Sequence, residues 1–467
     1  MNAIILTAVW GVVMMLGGAF FKNRRLPHLL AIAGMLLVLF ANAYELWMRD
    51  PLPLFAGIEV NDMLHFTSFS LSFLTVIFFC TLLYFLLSGR DMEKVGRHVS
   101  EYYALIFFVL CGISLVATFN TLLILFLGIE IISIPLYILT SSDKRNLKSN
   151  EAGLKYFLMG AFSTGIMLMG IALLYGGSST ASFYINNLGI GTTAVSPMII
   201  TGMILLLVAM AFKVSAAPFH FWTPDVYDGA PTVFTSFMAT MVKVAGFFAF
   251  VRLFESSFGM MHAQWQKLVV VLIVATLLIG NLTAVFQQSV KRMLAYSSIA
   301  QAGFMLFALF ALNDTAKEGL VLYAAAYSLA TIGLFAVLIK MKDYTIEGFN
   351  GLGKQQPLLA LAVTIFLLSL TGIPLTAGFQ AKFFMLVAAV QNGHQFWLVI
   401  LAVLCAAISA YYYFRVIQAM YFRESTENAT TEWDISAGFK ALLLFTALLI
   451  VLIGAYPDLV VDWLHYG

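Results

Sequence analysis

The chain has 467 residues, of which 61% are hydrophobic and only 10% charged, with a formal net charge of +2 and a mean hydropathy of +0.94. Ordinary soluble domains carry about 25% charged residues, so that class is excluded. No basic cluster survives outside the membrane-flanking loops, and the charge gives no reason to expect nucleic acid as a partner.

A spanning helix needs about 20 mostly apolar residues. Such segments run near 3–21, 28–48, 64–88, 102–118, 121–141, 153–175, 197–216, 231–253, 267–289, 293–312, 319–340, 357–387, 395–421 and 439–456. The sequence therefore predicts an all-α, polytopic transmembrane bundle of about 14 spans. The first stretch carries no charge from Met1 to Phe21 and has no clear A-x-A-like cleavage site, so it reads as a span rather than a cleaved signal peptide. Cys80, Cys111 and Cys405 all fall inside apolar helices without ligand-like spacing. They are expected to be small core residues, in neither disulfides nor a metal site. Cytoplasmic loops carry the excess of Lys and Arg. With the N-terminus outside, the inward loops hold 17 of the 25 basic residues, among them Lys22, Arg24, Arg25, Arg90, Lys291, Arg292, Lys340 and Arg423. Both termini are then expected on the outer side.

Two of the segments are interrupted. In the first, Lys213-Val-Ser-Ala-Ala-Pro218-Phe-His220-Phe-Trp222-Thr-Pro224-Asp225 puts two prolines, a histidine and an aspartate where a helix should still be crossing. The second is Thr371-Gly372-Ile373-Pro374-Leu375-Thr376-Ala377-Gly378. Proline removes a backbone donor and clashes with the preceding turn. Non-helical backbone at membrane depth persists only where protein or water satisfies its polar groups. Both breaks are therefore expected to line a hydrated interior. Lys213 precedes Pro218 and Lys382 follows Pro374, as inverted repeats with discontinuous helices would have it. The expected organisation is three transmembrane helices over 1–100, a first five-helix repeat over 101–255, a second over 256–422 and a last transmembrane helix over 423–467. Two chance kinks are the plainer reading of the same prolines.

The charges inside these spans carry the functional expectation. A charge at bilayer depth costs roughly 2.5–3.5 kcal/mol, and such residues usually mark an ion or proton pathway. Glu130 is the only Asp, Glu, Lys or Arg from Tyr102 to Ser142, and Lys213, Lys243 and Lys382 sit in equally apolar surroundings. Burial disfavours a lysine's charged form and a carboxylate partner favours it, so a lysine whose acidic partner moves can load and release a proton. Glu130 is the natural modulating partner, with a structural ion pair as the competing reading. His220 titrates near neutrality and suits a relay or a structural hydrogen bond. Asp225 and Asp228 read as solvated turn residues, Arg415 as a headgroup contact and Lys291-Arg292 as an inward anchor.

Four segments carry a resemblance: FLGIEIISIPLY around Glu130, KVSAAPFHFWTPDVYDGAPT from Lys213, VKRMLAYSSIAQAGF from Val290, and LSLTGIPLTAGFQAKFF up to Phe384. Together they resemble the antiporter-like membrane subunits of proton-pumping NADH:quinone oxidoreductase, respiratory complex I, from about Tyr102 to Phe422. Trp222–Pro231 is most similar to the subunit N branch. Lys382 stands where subunit M carries glutamate, and the long lateral helix of subunit L does not follow the last span. The resemblance implies a subunit of a proton-pumping translocase. Glu130 would be its key glutamate, Lys213 the partner on the first broken helix, Lys243 the central lysine, Lys382 the terminal lysine, and His220 a member of the same polar chain. It implies no cofactor or metal on this subunit, with NADH, FMN, iron–sulfur clusters and quinone in partner subunits, and with subunits M and K as neighbours. Gln380-Ala381 departs from the Ile-Gly pair expected before the lysine. A cation/proton antiporter subunit shares these features, and a structural spacer or free-standing transporter would be built on similar helices.

Overall fold

A computed structural model of the chain describes residues 1–20, 25–55, 57–58, 60, 62–188, 196–393, 395–424 and 435–465. Lys22 and Arg24, used above for orientation, and Phe21 of the first span lie outside them. Among the described residues nineteen α-helices follow in chain order: α1 (Asn2–Phe20), α2 (Arg25–Met48), α3 (Ser68–Ser88), α4 (Val99–Thr118), α5 (Leu122–Thr140), α6 (Leu147–Gly177), α7 (Pro197–Lys213), α8 (Trp222–Gly229), α9 (Thr232–Phe237), α10 (Lys243–Phe258), α11 (His262–Val285), α12 (Val290–Ala311), α13 (Asp314–Leu338), α14 (Leu352–Gln355), α15 (Pro357–Thr371), α16 (Ala377–Gln391), α17 (Phe396–Phe422), α18 (Ala437–Ala455) and α19 (Asp458–His465). Among the described residues the only strand-like pairings are isolated bridges between loops, such as Ser289 with Thr345.

Eleven helical stretches among the described residues are long and apolar enough to cross a membrane. One of them, Thr232–Val285, runs for 54 residues and holds both the 231–253 and the 267–289 segments. Three shorter apolar helices, Pro197–Lys213, Pro357–Thr371 and Ala377–Gln391, flank the two breaks. Polar side chains just before the apolar runs start several helices by accepting the first free backbone N–H groups. Thr67 and Ser70 form a reciprocal capping box on α3, Thr121 caps α5 and Asn313 caps α13.

Burial sorts the helices into a centre and a rim. The apolar stretch of α13 is wholly buried and that of α12 nearly so, whereas those of α1, α6, α17 and α18 are mostly open. Phe40, Phe162 and Leu404 point outward from the rim, as expected where the surroundings are lipid or another membrane subunit rather than water. Helix α13 packs on α3, α15 and α16, and α12 on α11 and α16. The centre of the molecule is thus two helices that carry Ser297, Ser298, Gln301, Tyr323 and Tyr327.

Both expected interruptions are present. Helix α7 stops at Lys213 and α8 starts at Trp222. The backbone freed between them finds partners: the Ala217 amide donates to Thr276 Oγ1 of α11 at 2.9 Å, and the Ala216 amide to the Ala211 carbonyl at 2.8 Å. Thr223 Oγ1 donates to Ser215 Oγ at 2.7 Å, and the Trp222 indole to the Phe212 carbonyl at 3.1 Å. The second break separates α15 from α16 at Gly372, whose φ of 89° is one that L side chains rarely adopt. There the Gly378 amide donates to Ser369 Oγ at 3.1 Å, which ties the start of α16 to the end of α15.

Candidate functional site

Helix α5 brings Glu130 and Ser133 to one face, because residues three apart on a helix are neighbours. The half-buried Glu130 carboxylate accepts from Thr164 Oγ1 of α6 at 2.8 Å. One turn along, Ser133 Oγ accepts from Lys213 Nζ at 3.0 Å and itself donates to the Ile129 carbonyl. Glu130 and Lys213 are therefore held on two separate hydroxyls rather than in a contact ion pair, although the carboxylate acts on the ammonium through space. The expected partnership is one of proximity.

Lys243 begins α10 immediately after a π-turn at Met238–Val242. Such turns are rare and are frequent at functional sites. Lys243 is 2% exposed. Its Nζ donates to Ser298 of α12 twice, to Oγ at 2.6 Å and to the carbonyl at 3.0 Å, and lies 5.7 Å from the centre of the Tyr227 ring. Gly246, one turn later, lets Val214 of the first break come close: a Cβ there would stand 3.1 Å from Val214 Cγ1. That close approach brings the residue after Lys213 against the helix of Lys243.

Lys382 is 6% exposed and reaches back from α16 to the end of α15. Its Nζ donates to the Leu370 and Thr371 carbonyls, both at 2.8 Å, and sits 4.7 Å from the Phe304 ring centre. The last carbonyls of a helix have no partner within it and form its negative dipole end. An ammonium there caps the broken half-helix, and the quadrupole of the Phe304 face adds to the attraction. Gln380 Nε2 donates to the Gly454 carbonyl of α18 at 3.1 Å, so the residue that departs from the family pattern fastens α16 to its neighbour.

Between Lys243 and Lys382 lies a polar group that composition does not reveal. Gln301 Nε2 donates to the Leu370 carbonyl at 2.9 Å, the same oxygen that Lys382 uses, and Tyr323 donates to Gln301 Oε1. Ser297 and Tyr413 share a hydrogen bond. The signal for Ser298 and Gln301 is in the segment YSSIAQ, whose polar residues at i and i+3 face one way and are followed by an apolar run to Ala311. His220 lies in the first break, buried, with no hydrogen-bond partner for Nδ1. No hydrogen bond among the described residues joins it to a lysine.

At the end of α8 the simpler readings are corrected. Asp225 is not merely solvated: it pairs with Lys155 at 2.8 Å and Arg292 at 3.1 Å, and Asp228 faces Arg292 at 3.8 Å. Lys291 is buried within the protein, with its Nζ on the Asp228 and Ala230 carbonyls at 2.9 and 2.7 Å. Arg415 caps α11, donating to the Val285 carbonyl at 2.8 Å.

Comparison with known proteins meets this geometry at the same residues. The family model described as NADH:quinone oxidoreductase/Mrp antiporter, TM, matches residues 120–409. NADH-quinone oxidoreductase subunit N of Cytophaga hutchinsonii is 40% identical over 468 aligned residues, covering 99% of each chain. The chain belongs to the subunit N family of NADH-quinone oxidoreductase. The subunit N of Rhodospirillum rubrum is 35% identical, with 98% of this chain and 94% of that one covered. Among solved structures, a chain of respiratory complex I from Thermus thermophilus superposes with a TM-score of 0.85 at 31% identity over the full length of both. A chain of the Mrp complex from Dietzia sp. reaches the same TM-score of 0.85 at 20% identity, covering 99% of this subunit and 96% of that chain, and shares the fold. The region matched by the family model opens just before α5 and closes within α17. It takes in Glu130, all three buried lysines and both breaks, and leaves α1–α4 and α18 outside.

Proposed function

We propose that Glu130, Lys213, Lys243 and Lys382, with His220, form the proton path of this chain. As a member of its family, the chain is a proton-translocating membrane subunit of NADH:quinone oxidoreductase, coupling electron transfer from NADH to quinone to proton transport. The observation that carries the residue assignment is how the three lysines are satisfied. Each ammonium meets hydroxyls or carbonyls, Ser133, Ser298, or Leu370 with Thr371, and none of these contacts is with a carboxylate. Two lysines at helix ends are instead neutralised directly, Lys340 by Asp91 and Lys317 by Glu255, while Lys291 rests on carbonyls. An unneutralised charge in the interior is expensive, and three of them lie along the two breaks and the helix between them. Neutral partners leave the proton free to leave.

In this reading, movement of Glu130 relative to Lys213 alters how strongly Lys213 holds its proton, and the change passes through Lys243 to Lys382. His220, with a free ring nitrogen in the first break, can take a proton on the way. Fourteen spans follow if the 54-residue stretch crosses twice and each broken pair, α7 with α8 and α15 with α16, crosses once. Residues 101–255 and 256–422 are then the inverted repeats, and 1–100 and 423–467 flank them. Both termini face the outer side of a bacterial inner membrane. The subunit binds no cofactor itself. NADH, FMN, iron–sulfur clusters and quinone belong to partner subunits, with antiporter-like subunit M on one side and subunit K on the other. The antiporter reading draws on the shared family model and the Dietzia fold and is the weaker one.

The test is NADH-driven proton pumping by membrane vesicles that carry Lys213→Ala, with turnover and assembly followed in parallel. Reduced turnover and pumping in a fully assembled complex is expected. Unchanged pumping at full assembly would remove Lys213 from the path.

A further inference from the structure

Helix α12 borders the sites of both Lys243 and Lys382, through separate side chains. Ser298 holds Lys243, while Gln301 shares the Leu370 carbonyl with Lys382. The hydrogen bonds between these anchors do not make a proton path. The chain Ser297–Tyr413–Gln301 ends on a carboxamide whose NH2 donates to Leu370 and whose oxygen accepts from Tyr323. An amide in that state has no acceptor nitrogen and no hydroxyl, so it cannot take a proton on one side and give one on the other.

One side chain faces both lysine sites. Tyr327 of α13 is 3% exposed, and its hydroxyl is buried without a hydrogen-bond partner. It lies within reach of the Ser298 and Thr331 hydroxyls but outside good hydrogen-bond geometry with either. The same residue lines a small cavity together with Gln301, Tyr323, Ser369 and Lys382. This cavity measures about 10 Å³ when counted as space open to the centre of a water molecule, on the order of what one water requires. Tyr323, Tyr327 and Thr331 recur every fourth residue and so share one face of α13. The Thr331 hydroxyl is likewise buried and unpartnered. Buried hydroxyls are normally satisfied, and two on one stripe beside a cavity ask for an explanation.

We infer that Tyr327 relays protons between Lys243 and Lys382, a step that rests on the proton path proposed above. The Lys243 ammonium gives a proton to Ser298 Oγ, whose own proton passes to the Tyr327 hydroxyl. Tyr327 gives its proton to a water in the cavity, and that water protonates a neutral Lys382. Each oxygen accepts one proton and releases one, a single positive charge moves from one lysine to the other, and nothing is oxidised or reduced. A small rotation of the Tyr327 hydroxyl toward Ser298 or toward the cavity opens and closes the link.

The experiment is Tyr327→Phe in the whole complex, measured in vesicles as NADH-driven pumping per assembled complex, in H2O and in D2O. The phenol has no hydrogen bond to lose, so assembly should be preserved. Coupled pumping is expected to fall about tenfold or more, as on loss of a proton-transferring group, with a larger solvent isotope effect than in the native complex. A merely structural role would leave that isotope effect unchanged. Native rates and a native isotope effect would overturn the inference. Lys243→Met and Lys382→Met, measured alongside, separate it from the reading beneath it. If they abolish pumping while Tyr327→Phe does not, only the relay is wrong. If none of the three has an effect, the path itself is wrong. Should Tyr327→Phe lower assembly, Ser298→Ala and Ser298→Thr test the same chain. Loss in the first with recovery in the second supports it, and equal activity in both refutes it.

Discussion

The two broken helices use the same physical device and finish differently. In the first, Lys213 closes the leading half-helix and reaches sideways to Ser133 on α5, half-buried and one turn from Glu130. In the second, Lys382 belongs to the trailing half-helix and reaches back onto the Leu370 and Thr371 carbonyls, under the Phe304 face and against Gly372. One lysine is held by a single hydroxyl near a titratable neighbour, and the other by backbone that cannot titrate. The first site leaves its ammonium on one hydroxyl a turn from a carboxylate, and the second fixes its ammonium on two carbonyls. The backbone turns contrast in the same way. Gly372 supplies one left-handed position of the second break at no steric cost, with Leu375 at φ 71° a second, while Ser215, with φ at 63°, occupies that region in the first and keeps its hydroxyl in use.

The largest expected difference between the breaks comes from replacing each lysine with arginine. A guanidinium keeps its proton, so Lys213→Arg and Lys382→Arg should both lower NADH-driven pumping by about tenfold or more. Only Lys382→Arg should also reduce the amount of assembled complex on a native gel. The position is enclosed by Phe304 and Gly372, and over-packing a filled site costs about 1–3 kcal/mol. Equal assembly of the two variants would erase the distinction between a loose and a tight site.

Gly372→Ala should come next. A left-handed alanine costs roughly 1–2 kcal/mol, and its Cβ would stand 3.0 Å from Lys382 Cδ. The expected result is a lower thermal midpoint of the purified complex together with slower pumping; an unchanged midpoint would mean that the break can relax around a side chain. The smallest effect is expected of Ser215→Gly. Relief of the left-handed strain, about 1–2 kcal/mol, is offset by loss of the Thr223 hydrogen bond, about 0.5–1.5 kcal/mol. The thermal midpoint should stay close to native, and a large fall would show that Ser215 holds more of the first break than its one hydroxyl contact.

Much of this was legible before any coordinates. Hydropathy located the apolar helices, proline and glycine marked both breaks, and the cost of a charge in an apolar stretch singled out Glu130, Lys213, Lys243 and Lys382. What stayed hidden was the polar company these residues keep. Ser133, Ser298, Gln301, Tyr323 and Tyr327 are residues that sequence alone reads as ordinary helix content, because a hydroxyl costs too little in a helix to stand out. Lys291 and Asp225 were misjudged for the opposite reason. Charges near a span end look like interface residues until a neighbouring helix covers or pairs them.

By itself, therefore, the sequence determined that the chain is an all-helical membrane protein with two interrupted helices and four charges in its interior, since apolarity, helix breaking and the price of a buried charge are properties of short stretches. Only the tertiary structure decided which group each charge meets. Lys213 finds Ser133 across 80 residues of chain and Lys243 finds Ser298 across 55. Helix packing sets such meetings, because a side chain's partner depends on which face of a distant helix is turned toward it.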